Sequence, residues 1–131
     1  MTRPSLLRRA FRRVHLFLNP GGVFIFDINT PEKLRGLDGG LFVDESEEDY
    51  CVWRTEYAPR RKICTFALDV FRREGEHWAR GGEVTEEYAY TVAELKAYLE
   101  EAGFENIRVF GDRKQRAPRP GEERVFFVAG K

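Results

Sequence analysis

Asp27 and Asn29 close an apolar run, Val23-Phe24-Ile25-Phe26, with Ile28 between them. The run reads as a buried strand. In open α/β sheets, ligands bind at the C-terminal ends of such strands. A carboxylate there orients a substrate amine or hydroxyl, or it does no more than cap the strand end, and the position of Asp27 leaves both open. Asn29 lines the same pocket or, more simply, builds a turn with Thr30 and Pro31. His77 has the chemistry of a general base near neutrality. It follows the turn Glu74-Gly75-Glu76, however, where a solvent-facing hairpin residue is expected, and His15 in its arginine-rich segment is expected at the surface. Trp53, Trp78 and Tyr88 suit an aromatic lid, and ordinary sheet packing accounts for them equally well.

Charged clusters add little chemistry. The run Asp44-Glu45-Ser46-Glu47-Glu48-Asp49 reads as a solvated loop rather than a cation trap. Arg8, Arg9, Arg12 and Arg13 lack the interleaved aromatics of a single-strand binder, so a wet helix face is expected. With 22 basic and 22 acidic residues the net charge is +0, and nothing global steers the chain toward nucleic acid or membrane. Cys51 and Cys64 are too few for a disulfide scaffold and lack paired histidines, so no metal site is expected. They face each other across a hairpin or, as the preferred reading, are buried free thiols. No apolar stretch is long enough to cross a bilayer and no signal-type segment follows the basic N-terminus, so a cytoplasmic chain is the expectation.

The elements that must position these residues fit one domain over positions 1–131. Leu7, Ala10, Phe11, Val14 and Leu18 recur at helical spacing, Thr2 and Pro4 suit the helix start, and Asn19-Pro20-Gly21-Gly22 stops it. In Val23–Ile28 the apolar residues are continuous rather than alternating, which predicts burial on both faces, as in a parallel sheet. From Thr30 to about Asp49 the pattern is weak: Pro31–Leu34 suits a helical turn capped by Thr30, and Gly36, Gly39 and Gly40 argue for loop. Three antiparallel strands are predicted over about 50–57, 63–73 and 77–90. Thr91-Val92-Ala93-Glu94 forms a capping box, Tyr90 and Leu95 a hydrophobic staple, and Gly103 terminates the helix. Phe104–Phe110 and Arg124–Ala129 complete the chain as two strands.

In this order the segments resemble the second half of a class I S-adenosylmethionine-dependent methyltransferase of the small-molecule type. Leu18-Asn19-Pro20-Gly21-Gly22 into Val23–Asp27 is similar to the family's approach to its fifth strand. Tyr90–Leu95 through Glu101-Ala102-Gly103-Phe104 is similar to its last helix, and Arg124–Ala129 to its closing strand. Asn19 stands where the family usually has a basic residue. The fold implied is α/β, a truncated Rossmann-like methyltransferase fold. Its mixed sheet carries a three-stranded antiparallel excursion, a lid over about 50–90, and two main helices.

What the resemblance implies about chemistry depends on what the chain lacks. The family holds S-adenosylmethionine on a glycine-rich turn after its first strand and on an acidic residue ending its second. Here Gly21-Gly22 precedes a strand and Gly39-Gly40 follows none, so no cofactor-binding residue is assigned. Methyl transfer needs a nucleophile aligned with the sulfonium methyl group and water excluded. For a small-molecule methyl acceptor, the resemblance makes Asp27, Asn29, Trp53, Tyr57 and Tyr88 the candidates for the substrate side of the pocket.

In the complete family fold the fifth strand lies between the fourth and the seventh. Without the fourth, 23–28 offers an open apolar edge, which proteins seldom leave bare. Two chains pairing there across a twofold axis is one expectation; a separate polypeptide supplying the cofactor half is the other. Three readings follow: a substrate-side methyltransferase portion active only with its other half, a non-enzymatic homodimeric binding module derived from such an enzyme, and an unrelated α+β domain. A C-terminal strand lying parallel beside the strand after Gly22 is the expectation that excludes the third.

Overall fold

The computed structural model describes residues 3–112 and 116–131, so Thr2, expected at the first helix start, lies outside the described residues. The chain runs α1 (Pro4–Phe17), β1 (Val23–Asn29), α2 (Pro31–Gly36), β2 (Gly40–Glu45), β3 (Asp49–Ala58), β4 (Ile63–Glu74), β5 (His77–Tyr88), α3 (Val92–Ala102), β6 (Glu105–Gly111) and β7 (Arg124–Gly130). It divides into two compact units, Met1–Leu34 with Ala89–Lys131, and Arg35–Tyr88. The span expected to be one domain thus contains an inserted second unit with its own sheet.

In the first unit the strands run in the order β1-β7-β6. Both pairings are antiparallel. The expected neighbours are present, but β7 runs against β1 rather than parallel to it. The connection agrees with this: among the described residues no crossover helix lies between β6 and β7, and a parallel pairing of successive strands usually uses one. The continuous apolar run of β1 also misled as to burial, because its residues alternate. Phe24 and Phe26 pack inward, while Val23 is 54% and Ile25 62% exposed.

The core of this unit is aromatic. Phe11 of α1 packs edge-on to Phe24 at 6.0 Å and against Phe26 at 5.4 Å, and Phe26 stacks on Phe127 of β7 at 4.9 Å. Buried Leu95 and Leu99 of α3 and Val125 of β7 complete it. The α3 start follows its sequence signal: the Thr91 hydroxyl accepts from the Glu94 N–H at 3.1 Å. The helix ends at Gly103, whose φ of 104° places it in the left-handed region that glycine favours. His15, expected at the surface, instead packs its ring edge-on against Phe104 at 5.0 Å.

Outside that core α1 and α3 are tied by charge. The Arg8 Nε donates to Glu101 at 3.0 Å, and the Arg8 guanidinium lies 5.6 Å from the Tyr98 ring centre. The hydrogen bond from Arg8 holds the Glu101 carboxyl below the usual carboxylate range, opposed by loss of hydration and aided by the charges of Arg8 and Arg12. A depressed carboxyl contributes stability above its unfolded-state pKa and loses it as pH falls through the folded one. Thermal melts are therefore expected to drop between neutral pH and the acid side of the carboxylate range, less steeply in Glu101→Gln. Added salt should shrink the difference, since the pair faces solvent.

The second unit is a four-stranded antiparallel sheet in the order β2-β3-β4-β5. The excursion has four strands rather than three, because the glycine-rich segment read as loop supplies β2. Gly40 opens β2 opposite Thr55, and a Cβ at Gly40 would come within 2.3 Å of the Thr55 hydroxyl oxygen. That hydroxyl is buried and donates to the Leu37 carbonyl. The glycine marks a close approach, not a loop.

Candidate functional site

Strand alternation puts Asp27 and Asn29 on the same face of β1, and register places Asn29 opposite Arg124 and Asp27 opposite Phe126. Arg124 spans the two: one guanidinium nitrogen donates to the Asp27 carboxylate and the other to the Asn29 side-chain oxygen at 3.2 Å. The ion pair is partly exposed, so it positions more than it stabilises. Beside it the chain turns sharply. The Thr30 hydroxyl donates to the Glu122 carbonyl at 2.6 Å and accepts from the Lys33 N–H at 3.2 Å, and the Thr30 N–H donates to the Glu123 carbonyl at 3.0 Å. The Lys33 ammonium reaches Glu123 at 3.4 Å. The result is a fixed polar cluster at the C-terminal end of β1, able to offer a carboxylate, an amide and a guanidinium to a polar ligand. Arg124 had no signal in sequence beyond opening a strand, because its partners lie 97 and 95 residues away and only the register joins them.

The aromatic candidates belong to the second unit. Trp53 and Tyr57 lie on one face of β3, opposite Leu68 and Cys64 of β4. At ~3.3 Å per residue they stand about 13 Å apart along the strand. Tyr88 pairs with Ile63 and therefore projects from the other face of that sheet, as residues opposite Cys64 and Ile63 must. The five candidates are not one cluster within either unit: Asp27 and Asn29 meet, Trp53 and Tyr57 share a face, and Tyr88 does not join them. His77 is exposed at the start of β5, opposite Glu74, as a hairpin residue should be.

On the Trp53 face, Leu68, Val70, Ala79 and Gly81 floor an open groove of about 430 Å³ with Arg72 and Glu83 at its sides. Cys51 and Cys64 share this face but lie opposite Val70 and Tyr57, so they do not face each other, and both are free thiols. Burial pushes the Cys64 thiol up, helped by the negative charges of Glu87 and Asp38. That suits a packed side chain rather than a nucleophile. Among the described residues no group of three or more His, Cys, Asp or Glu is placed to hold a metal ion.

The residues present do not fit an S-adenosylmethionine cradle of the glycine-turn kind. Such a cradle needs a strand-to-helix turn whose backbone approaches the ligand closely. The turn from β1 to α2 is Thr30, with its N–H and hydroxyl committed to Glu123 and Glu122. The turn from β5 to α3 is Ala89-Tyr90-Thr91, its Thr91 committed to the cap. Neither contains glycine.

Comparison with known proteins sets this geometry in a family context. No family model matches the chain. An inferred methyltransferase of Geobacillus sp. (strain WCH70), GWCH70_2453, is 28% identical over 129 residues, which are 97% of this chain and 52% of that protein. YqeM of Bacillus subtilis (strain 168), likewise an inferred methyltransferase, is 27% identical over 122 residues, 92% of this chain and 49% of its own length. The crystal structure of an S-adenosylmethionine-dependent methyltransferase from Clostridium acetobutylicum ATCC 824 superposes with a TM-score of 0.85 at 27% identity, covering 98% of this chain and 52% of that one. CalS10, an amino pentose methyltransferase from Micromonospora echinaspora, shares the fold at a TM-score of 0.70 and 20% identity, over 98% of this chain and 51% of its own. The chain is a methyltransferase-like region of Rossmann-like α/β fold, and it spans about half the length of the curated relatives it matches.

Proposed function

We propose that this chain is the substrate-side portion of an S-adenosylmethionine-dependent methyltransferase acting on a small molecule in the cytoplasm. The observation that carries the reading is the match of nearly the whole chain to about half of each such protein. The cofactor is then held by the half of the fold that this chain does not match. Two further findings agree with that division. Neither strand-to-helix turn here offers a glycine cradle, and the polar groups gather at a strand end instead.

In this reading the protein acts by position, not by covalent chemistry. Arg124 fixes the Asp27 carboxylate and the Asn29 amide in one orientation, so that they accept hydrogen bonds from the amine or hydroxyl of the methyl acceptor. Within the second unit, Trp53 and Tyr57 share one face of β3 and are proposed as aromatic ligand contacts there, and Tyr88, on the other face, is proposed as a separate one. No helix among the described residues is long and apolar enough to cross a membrane.

The test is a fusion of this chain to the half of YqeM that it does not match, titrated with S-adenosylmethionine by calorimetry. Saturable one-to-one binding is expected. A fusion that melts cooperatively yet takes up no cofactor would sink the reading.

A further inference from the structure

We infer that one face of the four-stranded sheet is self-complementary and packs on the same face of a second copy, forming a sandwich across a twofold axis. The pairing needs only the second unit, Arg35–Tyr88, and neither the β1 edge nor methyl transfer enters it.

Register defines the face. Residues paired across neighbouring strands project to the same side of a sheet, so three rows run from β2 to β5. The first is Glu45, Tyr50, Phe71 and Arg80. The second is Val43, Val52, Asp69 and Gly82, and the third is Leu41, Arg54, Ala67 and Val84. Trp53 and Tyr57 lie on the opposite side. A face left to water would carry polar residues along its margins. Here Leu41 is 62%, Val43 52% and Val84 66% exposed.

Across the midline between β3 and β4 the rows complement themselves. Glu45 stands at one margin and Arg80 at the other, and the rings of Tyr50 and Phe71 lie between them, 6.2 Å apart. Val43 stands at one margin and Gly82 at the other. Gly82 leaves a gap, because a Cβ there would come within 2.7 Å of the Leu68 carbonyl oxygen. A twofold axis along the midline, parallel to the strands, sets β2 of one copy over β5 of the other and β3 over β4. Each row then meets its own reverse. Glu45 meets Arg80 of the partner subunit, Tyr50 meets Phe71 of the partner subunit, and Leu41 meets Val84 of the partner subunit. Val43 enters the gap at Gly82 of the partner subunit. One axis thus sets charge against opposite charge, ring against ring and bulk against gap, at the separation of about 10 Å usual in sandwiches.

The carboxylate toward the middle of the face is already paired. Arg80 donates to Asp69 at 3.0 and 3.3 Å, and the Arg54 guanidinium lies 3.7 Å from the same group. Covering Asp69 therefore leaves no bare charge. The guanidinium of Arg80 has five N–H donors, enough to hold Asp69 and reach a second carboxylate. The rows from both copies together remove on the order of 1,000 Å² from water, the lower bound for a specific interface.

Sedimentation velocity at tens of micromolar tests the pairing, with two charge reversals of exposed side chains, Glu45→Arg and Arg80→Glu. The parent is expected to be a dimer. Each reversal alone places like charges together at two points of its homodimer and should weaken association about tenfold or more. Mixing the two variants in equal amounts should restore the dimer, since both contacts of the mixed pair are then between opposite charges. That recovery also shows that both variants are folded. A monomeric parent would overturn the inference, as would a dimer that neither reversal weakens or a mixture that recovers nothing. The same pattern is expected in the YqeM fusion. A monomeric fusion beside a dimeric chain would overturn the inference too, by giving the face to the other half.

Discussion

Replacing Phe127 by alanine is expected to lower the stability of the chain by about 3–5 kcal/mol, as for large aromatic residues truncated in a packed core. Phe127 is 0% exposed, stacks almost parallel on Phe26, and sits between buried Val125 and Ala129 on β7. β7 is the central strand of the first unit, hydrogen-bonded on both sides, so it cannot shift to fill the void. A loss of that size is a large share of the roughly 5–15 kcal/mol that holds an ordinary domain folded. Urea denaturation checks it: the midpoint should fall sharply at an unchanged slope. A loss below about 1 kcal/mol would mean that the stack contributes little beyond what its neighbours replace.

Gly103→Ala should produce the second large effect, about 1–2 kcal/mol from backbone alone, because a Cβ is disfavoured in the left-handed region. The neighbourhood adds to it. A Cβ at Gly103 would lie 3.1 Å from the His15 ring, which is wedged against Phe104, so the ring must yield. Gly75→Ala isolates the two contributions: Gly75 also has a positive φ, of 63°, but nothing within 4 Å of its would-be Cβ. Thermal melts of the two variants should differ, Gly103→Ala being the worse. Equal losses would show that the His15 contact costs nothing.

The elements that could be read from sequence were those whose signals are local. α3 carries its cap and terminator within the thirteen residues from Thr91 to Gly103, and both act as their residue types dictate. β2 was hidden for a physical reason. Gly39 and Gly40 resemble a loop, yet Gly40 is required by the close approach of Thr55, a partner fifteen residues further on. The burial of β1 was misjudged because a run such as Val23–Ile28 looks the same whether both faces are covered or one is left exposed. At the candidate site, Asp27 and Asn29 announced themselves by lying at a strand end. Arg124, which organises them, did not, since an arginine opening a strand has no meaning until register shows what it faces. The second unit corresponds to the excursion expected over about 50–90, while its earlier start at Arg35 carries no linker-like composition.

The division of labour proposed here, acceptor side on this chain and cofactor side elsewhere in the fold, is tested most directly by titrating the purified chain alone with S-adenosylmethionine in a calorimeter. The account predicts no saturable heat. One-to-one saturation would contradict it, placing a complete cofactor site within these 131 residues.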